Sequence, residues 1–297
     1  MSIHIFTEVI RCGEIGDKAI QSFREYHPDL LLHVYCGEDD VAAIPAHTNN
    51  IIHIIPKDSD IYKAFDNGHL GTSKLWTDLI VHLPDSVTHL IHFDSDVVFL
   101  GDAVHDIING LKDHDLVGPI RNYINNPNNR DDERYLKVVQ TYCFGFNRTL
   151  ITQQNTMILQ NWVSGFTVQY PHRVIDFFDP VSFHILYNGG KPLFMDANAF
   201  GGTTIEGKRN NKHEELNSVF DVGDKIIHFS SVGLGLNFYK MLKSGKQIPM
   251  PQSYVGFAMN RFDIYSQLYF NNRILNNNDN TEITNKMRAF LTSHASG

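Results

Sequence analysis

Three apolar, β-branched runs in the first 55 residues constrain this chain most: Ile3-His4-Ile5-Phe6, Leu30-Leu31-Leu32-His33-Val34-Tyr35 and Ile51-Ile52-His53-Ile54-Ile55. A fourth run, Thr88 to Phe93, leads directly into Asp94-Ser95-Asp96. Runs of this length, closed by Cys36-Gly37 or Pro56, read as strands. Between them, Asp17 to Tyr26 places Ala19, Ile20 and Phe23 on one helical face, and Leu70 to Leu83 repeats the spacing at Leu75, Leu79 and Leu83. Continuous apolar strands interleaved with helices mark a mostly parallel sheet covered on both faces. The expectation is therefore an α/β fold with a Rossmann-like central sheet flanked by helices.

Beyond the Asp-Ser-Asp cluster, Asp102 to Leu111 reads as a helix, Leu116 to Ile120 as a strand, and Asn122 to Asp132 as a polar loop beside the cleft. Thr141 to Asn147 resumes as a strand, followed by helices over Thr149 to Val163 and Asp179 to Tyr187 and short strands at Leu193 to Met195 and Lys225 to Phe229. Past Pro251 the chain turns helical through Met259 to Leu275, and a final helix, Thr281 to Ser293, sets Ile283, Met287, Phe290 and Leu291 on one face. This divides the chain into a catalytic-size domain over 1–250, with halves of about 1–120 and 121–250, and a C-terminal helical extension over 251–297.

The formal charge of −8, with no cluster of Lys and Arg, argues against a protein built to grip nucleic acid. No segment reaches the apolar length of a membrane span, and the first residues, interrupted by Glu8, Arg11 and Glu14, do not read as a secretion signal. Cys12, Cys36 and Cys143 are too few and too irregularly spaced for a disulfide or zinc framework. A cytoplasmic location with free thiols is the expectation.

Open parallel sheets bind ligands at the carboxyl ends of their strands, which is where Asp94 and Asp96 fall. Two aspartates one residue apart on extended backbone point the same way and can share one hard cation through oxygen. Their flanks, Leu90 to Phe93 and Val97 to Leu100, are apolar, and two like charges at an apolar edge call for a counter-charge. A turn carrying two solvated acids is the simpler reading of the same residues.

The block from Leu83-Pro84 through Thr88 to Asp102 resembles the core of the retaining glycosyltransferases related to glycogenin and bacterial lipopolysaccharide galactosyltransferases. That resemblance implies the GT-A fold, with the Asp-x-Asp (DXD) motif holding Mn²⁺ or Mg²⁺ against the diphosphate of a nucleotide-sugar donor, a UDP-sugar by preference. Ile226 to Gly233 is similar to the family's segment whose histidine is the third protein ligand of the metal, which points to His228; a buried histidine satisfied by backbone is the alternative. Ser95 and Gly233 are counted with the donor-binding residues, and Thr7 and Glu8 lie where the family recognises base and ribose. Phe144 to Asn147 is similar to a strand lining both sugars, although Gly145-Phe146-Asn147 departs from the family's Asn-x-Gly, and the family's Lys-Pro-Trp after the histidine is missing.

Lys74 and Asp78, one helical turn apart after Gly68 to Ser73, form either a donor-facing pair or an ordinary surface ion pair. Asp179, with Asp176, aligns with the family's acidic segment under the transferred sugar; Pro180 follows instead of Gln, and a helix-capping role explains Asp179 equally simply. The reaction expected is hexosyl or pentosyl transfer to a hydroxyl, with a glycan as acceptor and retention of configuration implied by the resemblance alone. The acceptor surface is expected in Asn122 to Arg134, Asn198 to Thr204 and the C-terminal region. Asp94-Ser95-Asp96-Val97-Val98 also resembles the first motif of haloacid dehalogenase-like phosphatases, and a non-catalytic nucleotide-sugar-binding module shares the same cluster.

Overall fold

A computed structural model describes residues 1–65, 68–123, 136–151, 179–195, 221–222, 225–229, 232–248 and 252–269. Its centre is an eight-stranded sheet. Strand β1 (Ile3–Val9) pairs in parallel with β2 (Leu32–Gly37) on one side and β4 (His89–Phe93) on the other, and β2 continues to the parallel edge strand β3 (Asn50–Ile55). Beyond β4 the direction reverses. Strand β8 (Cys143–Asn147) runs antiparallel between β4 and β6 (Leu116–Tyr123), while β7 (Leu136–Val139) runs antiparallel and β9 (Pro192–Met195) parallel to β6. Six of the eight strands therefore share one direction.

Alternation along each strand divides the core in two. Ile5 and Val9 of β1, Leu32, Val34 and Cys36 of β2, and Ile91 and Phe93 of β4 join one cluster; it also contains Ile15, Ala19, Ile20 and Phe23 of helix α1 (Gly13–Tyr26) and Val104 and Ile107 of α4 (Ala103–Gly110). Phe6, Tyr35 and Leu90 face the opposite way, onto Leu75, Trp76 and Leu79 of α3 (Gly68–His82) and Val181 and Ile185 of α5 (Asp179–Tyr187). Successive strand residues point to opposite faces, so strands buried on both sides are mostly apolar; His4, Thr7 and Glu8 of β1 and His92 of β4 are polar exceptions. Trp76 anchors the second cluster, edge-on to Phe6 at 4.9 Å between ring centroids and stacked nearly parallel to Phe144 at 5.7 Å. A short helix, α2 (Asp60–Ala64), precedes α3 and is capped by the Ser59 hydroxyl, which accepts from the Tyr62 N–H.

Helices α6 (Val232–Lys243) and α7 (Gln252–Tyr269) pack together on the α1 face, and Ala258, Met259, Phe262 and Tyr265 belong to the same core as the sheet. What reads in the sequence as an extension beyond residue 250 thus begins as an integral layer. Residues 270–275 and 281–293, expected from the sequence to be helical, fall outside the described residues, as do Asn198 to Thr204 and residues 152–163; Thr149 and Leu150 belong with Arg148 to a 3₁₀ turn, Arg148–Leu150. Asn122 and Tyr123 belong to β6 rather than to a loop; the remainder of that polar stretch lies outside the described residues. Among the described residues, no helix is long and apolar enough to cross a membrane.

One arginine fixes the entry into β4. Arg148 donates from its guanidinium to the carbonyls of Ile80 (2.9 Å), Leu83 (2.7 Å), Pro84 (2.9 Å) and Val87 (2.9 Å). These include carbonyls at the end of α3, which have no partner within the helix, so the connection that delivers the acidic cluster is held from α3 to Val87, just before β4 begins.

Candidate functional site

Strand β4 ends at Phe93, and the next two turns of chain build the site. The Asp94 N–H donates to the Tyr142 carbonyl at 2.8 Å, and the Val97 N–H returns to the Asp94 carbonyl at 3.2 Å, closing a tight turn over Ser95 and Asp96. The chain then leaves the main sheet as β5 (Val97–Phe99), which pairs with β11 (Ile226–His228) in a second sheet completed by β10 (Asp221–Val222), with antiparallel pairing throughout. His228 sits opposite Val97 in that register, and the Phe229 N–H donates to the Asp96 carbonyl at 3.0 Å. A three-residue apolar strand, Val97-Val98-Phe99, buried throughout, thus carries a histidine from 130 residues away to the two acids.

His228 Nε2 lies 3.7 Å from Asp94 Oδ2 and 3.4 Å from Asp96 Oδ1, and one ligating atom from each of the three residues falls within 4.8 Å of the other two. The His228 ring stacks on Tyr142, centroids 4.3 Å apart and planes 22° from parallel, which sets its orientation. Behind the acids, His92 Nε2 approaches Glu8 Oε2 at 2.8 Å and Asp94 Oδ1 at 3.7 Å. The chain Glu8, His92, Asp94, His228, Asp96 is therefore continuous, from a wholly buried histidine out to a half-buried recess.

Its electrostatics are strained without a further positive charge. Burial raises the Asp94 carboxyl to about 8; His92 and His228 pull it down, while Asp96 and Glu8 push it higher. Burial also opposes charge on His92, but the Glu8 carboxylate outweighs it and its pKa is raised. Two carboxylates and an imidazole at these separations suit a hard to borderline divalent cation, and a cation there would relieve the Asp94 penalty.

The other sequence-derived positions fare unevenly. Ser95 is half-buried, its Oγ 3.4 Å from Cys12 Sγ, so the β1–α1 connection touches the cluster. Thr7 lies inside β1 rather than at its end. Strand β1 continues to Val9, past the end the sequence suggested, and the Thr7 side chain is fully buried with no hydrogen-bond partner for Oγ1 among the described residues. Glu8 points to the opposite face and is engaged by His92. No ion pair joins Lys74 to Asp78 among the described residues; Asp78 is exposed and meets His82 Nδ1 at 2.9 Å. Gly233 lies in the first turn of α6, with open space where a Cβ would stand, so nothing there demands glycine. Asp179 is the first residue of α5, and Asp176 lies outside the described residues.

Because β1 is longer than it reads, the turn that follows it falls at Ile10–Gly13. Arg11 there adopts φ 64°, the left-handed region, and its N–H and that of Gly13 donate to the buried Asp40 carboxylate at 2.5 and 2.9 Å. Its guanidinium stands 4.9 Å over the Tyr62 ring. A cavity of about 580 Å³ opens here, lined by Arg11, Gly13, Asp40, Tyr62, Asn237 and Lys240 among others. Asp94, Asp96 and His228 do not line it; Cys12, between Arg11 and Gly13, connects it to Ser95.

Sequence reasoning passed over His92, Tyr142 and Cys12. For His92 a signal exists: two residues before Asp94 on a strand, it must share that residue's face. Tyr142 and Cys12 carry no such mark, because their roles depend on contacts made across the sheet.

No protein-family model matches the sequence, and none of the curated proteins compared matches it in sequence. Among solved structures it is similar to mouse xyloside xylosyltransferase 1 in its apo form, at 11% identity over 67% of this chain and 86% of that one, with a TM-score of 0.46. It is also similar to galactosyltransferase LgtC in complex with donor and acceptor sugar analogs, at 14% identity over 66% and 74% with a TM-score of 0.47. A third is 4-diphosphocytidyl-2C-methyl-D-erythritol synthase from Anaerococcus prevotii, at 12% identity over 72% and 92% with a TM-score of 0.43. At these values the likeness assigns neither an activity nor the role of any residue.

Proposed function

We propose that this protein is a metal-dependent glycosyltransferase that moves a sugar from a nucleotide-sugar donor, a UDP-sugar by preference, to a hydroxyl acceptor such as a glycan. The observation that carries the reading is the convergence of Asp94, Asp96 and His228 at the carboxyl edge of a mostly parallel sheet. The similarity of the block from Leu83 to Asp102 to the glycogenin-type enzymes, and its GT-A arrangement, supports the same assignment.

In this reading Asp94, Asp96 and His228 hold Mn²⁺ or Mg²⁺. Bound there, the ion supplies Lewis-acid neutralisation of the charge that builds on a departing diphosphate. The protein's own part is positional. Tyr142 fixes the plane of the His228 ring, and His92, whose charge Glu8 stabilises, presents a buried positive charge behind Asp94 that favours its ionised form. The cavity beside Arg11 falls within the size range of small-molecule sites and is the place for the donor's nucleoside portion. Asp179, at the start of α5, with Asp176, is assigned to the sugar side, where a polar group must stabilise positive character at the anomeric carbon.

The test is a thermal-shift screen of nucleotide sugars with and without Mn²⁺, followed by donor-hydrolysis and transfer assays. A UDP-sugar should raise the melting temperature only with Mn²⁺ present, and Asp94→Asn or Asp96→Asn should abolish both that shift and slow donor hydrolysis. Release of inorganic phosphate from sugar phosphates, or donor binding indifferent to both metal and substitutions, would overturn the assignment.

A further inference from the structure

A second group of ligating side chains lies apart from the Asp94 recess, where the end of α1 meets the start of α4. His27 closes α1; its ring is wholly enclosed, 1% exposed, against Phe23 and Phe99. Asp102 caps α4, accepting from the His105 backbone N–H at 3.3 Å and from its ring Nδ1 at 2.8 Å. His27 Nδ1 is 3.2 Å from the same Asp102 oxygen, yet the contact lacks hydrogen-bond alignment, and neither ring nitrogen of His27 has a hydrogen-bond partner among the described residues. A buried imidazole with both nitrogens unsatisfied is costly, so this one calls for a partner that the hydrogen bonds do not supply.

The geometry points to a second cation site, in which His27, His105 and Asp102 bind a borderline divalent ion such as Zn²⁺ and clamp the C-terminus of α1 to the N-terminus of α4. Ligand atoms about 2.0–2.2 Å from a tetrahedral Zn²⁺ stand about 3.3 Å from one another. The separations of 3.2 and 2.8 Å to the shared carboxylate oxygen lie within about half an ångström of that value, and the two histidines bring a ligating atom within 4.8 Å of each other. Burial holds the His27 ring in the neutral form a metal requires. Two imidazoles and one carboxylate select zinc-like ions over Mg²⁺, which takes oxygen donors. Because the side chains of Asp102 and His105 are 53% and 46% exposed, an ion has a path from solvent and a water for its fourth position.

The experiment uses the full chain carrying Asp94→Asn and Asp96→Asn, so that the first cluster does not contribute. Co²⁺ is titrated in alone and followed by its ligand-field absorption, with stoichiometry from equilibrium dialysis. One equivalent should bind with the intense visible bands of tetrahedral Co²⁺, and Zn²⁺ should displace it. Adding His105→Ala, a substitution at a half-exposed position, should weaken binding on the order of 100-fold and remove the bands, since disturbing even an outer partner of a ligating histidine costs 10–100-fold. Zn²⁺ should also raise the melting temperature of the parent but not of the His105→Ala protein. No Co²⁺ bands in the parent, or bands and affinity unchanged by His105→Ala when circular dichroism shows it folded, would overturn the site.

Discussion

Replacing Glu8 with Gln tests whether the buried pair behind the acids is ionic. The substitution preserves shape and leaves an acceptor for the His92 ring, so the hydrogen bond survives and only the charge is lost. The wild-type contact is 2.8 Å long, with His92 fully enclosed and Glu8 13% exposed, so solvent screening is slight. Bonds to charged groups are worth about 1.5–3 kcal/mol and neutral ones about 0.5–1.5, which makes the expected loss about 1–2 kcal/mol. The pH dependence is the sharper signature. His92 has a folded pKa raised above its ordinary value, chiefly because the Glu8 carboxylate outweighs the opposing effect of burial. A histidine of that kind contributes stability that is complete below the unfolded value of about 6.5 and is lost as pH rises through the folded value. The difference in unfolding free energy between wild type and Glu8→Gln, from urea titrations without added metal, should therefore be largest below about pH 6.5 and shrink as the pH rises through the raised His92 value. A difference that stays flat, or grows with pH, would mean that the pair is neutral and that His92 lends Asp94 no charge.

Metal binding at the recess should follow Asp94. Its carboxyl is raised to about 8, so a cation must displace a proton there, and Mn²⁺ affinity by calorimetry should climb about tenfold per pH unit up to roughly pH 8 and then level off. His4 and His27 have pKa values lowered to about 3 and about 4 by burial, the opposite sign from His92. The unfolded chain takes up those protons first as pH falls below about 6.5, so each should cost stability at about 1.4 kcal/mol per pH unit until its folded value is reached, measurable by denaturant titration between about pH 6.5 and 4.5. Gly235 tests the α6–α7 packing: a Cβ there would meet the Ala258 carbonyl oxygen at 2.2 Å and Phe262 Cβ at 2.7 Å. Gly235→Ala should destabilise by about 1–3 kcal/mol, outweighing the helix-propensity gain of about 1 kcal/mol, and a variant as stable as wild type would show that the helices part freely.

The local structure was readable wherever one residue's chemistry and its neighbours' spacing decide the outcome. β1, β2 and β4 announce themselves because strands buried on both faces admit mostly apolar side chains, the half-exposed edge strand β3 does so by its β-branched run, and α3 stops at Leu83-Pro84 because proline cannot continue it. The ends of elements were less legible: β1 runs on through Thr7 and Glu8, polar residues that a sequence reading takes for a strand end, because β2 continues beside it and pairs as far as Val9, whereas β4 pairs only as far as Phe6. Nothing in Leu136–Val139 or Val97–Phe99 distinguishes a strand from a buried loop until a partner pairs with it.

The sequence by itself determined the α/β class, the placing of Asp94 and Asp96 at the end of a buried strand, and, through resemblance, the choice of His228. Only the tertiary structure decided that these three meet, that His92 links Glu8 to Asp94, and that His27 faces Asp102 and His105. The physical reason is range. Strand and helix periodicity are set by neighbours a few residues apart, whereas a site is assembled by pairings such as β5 with β11 and β4 with β8, whose register depends on the packing of the whole core.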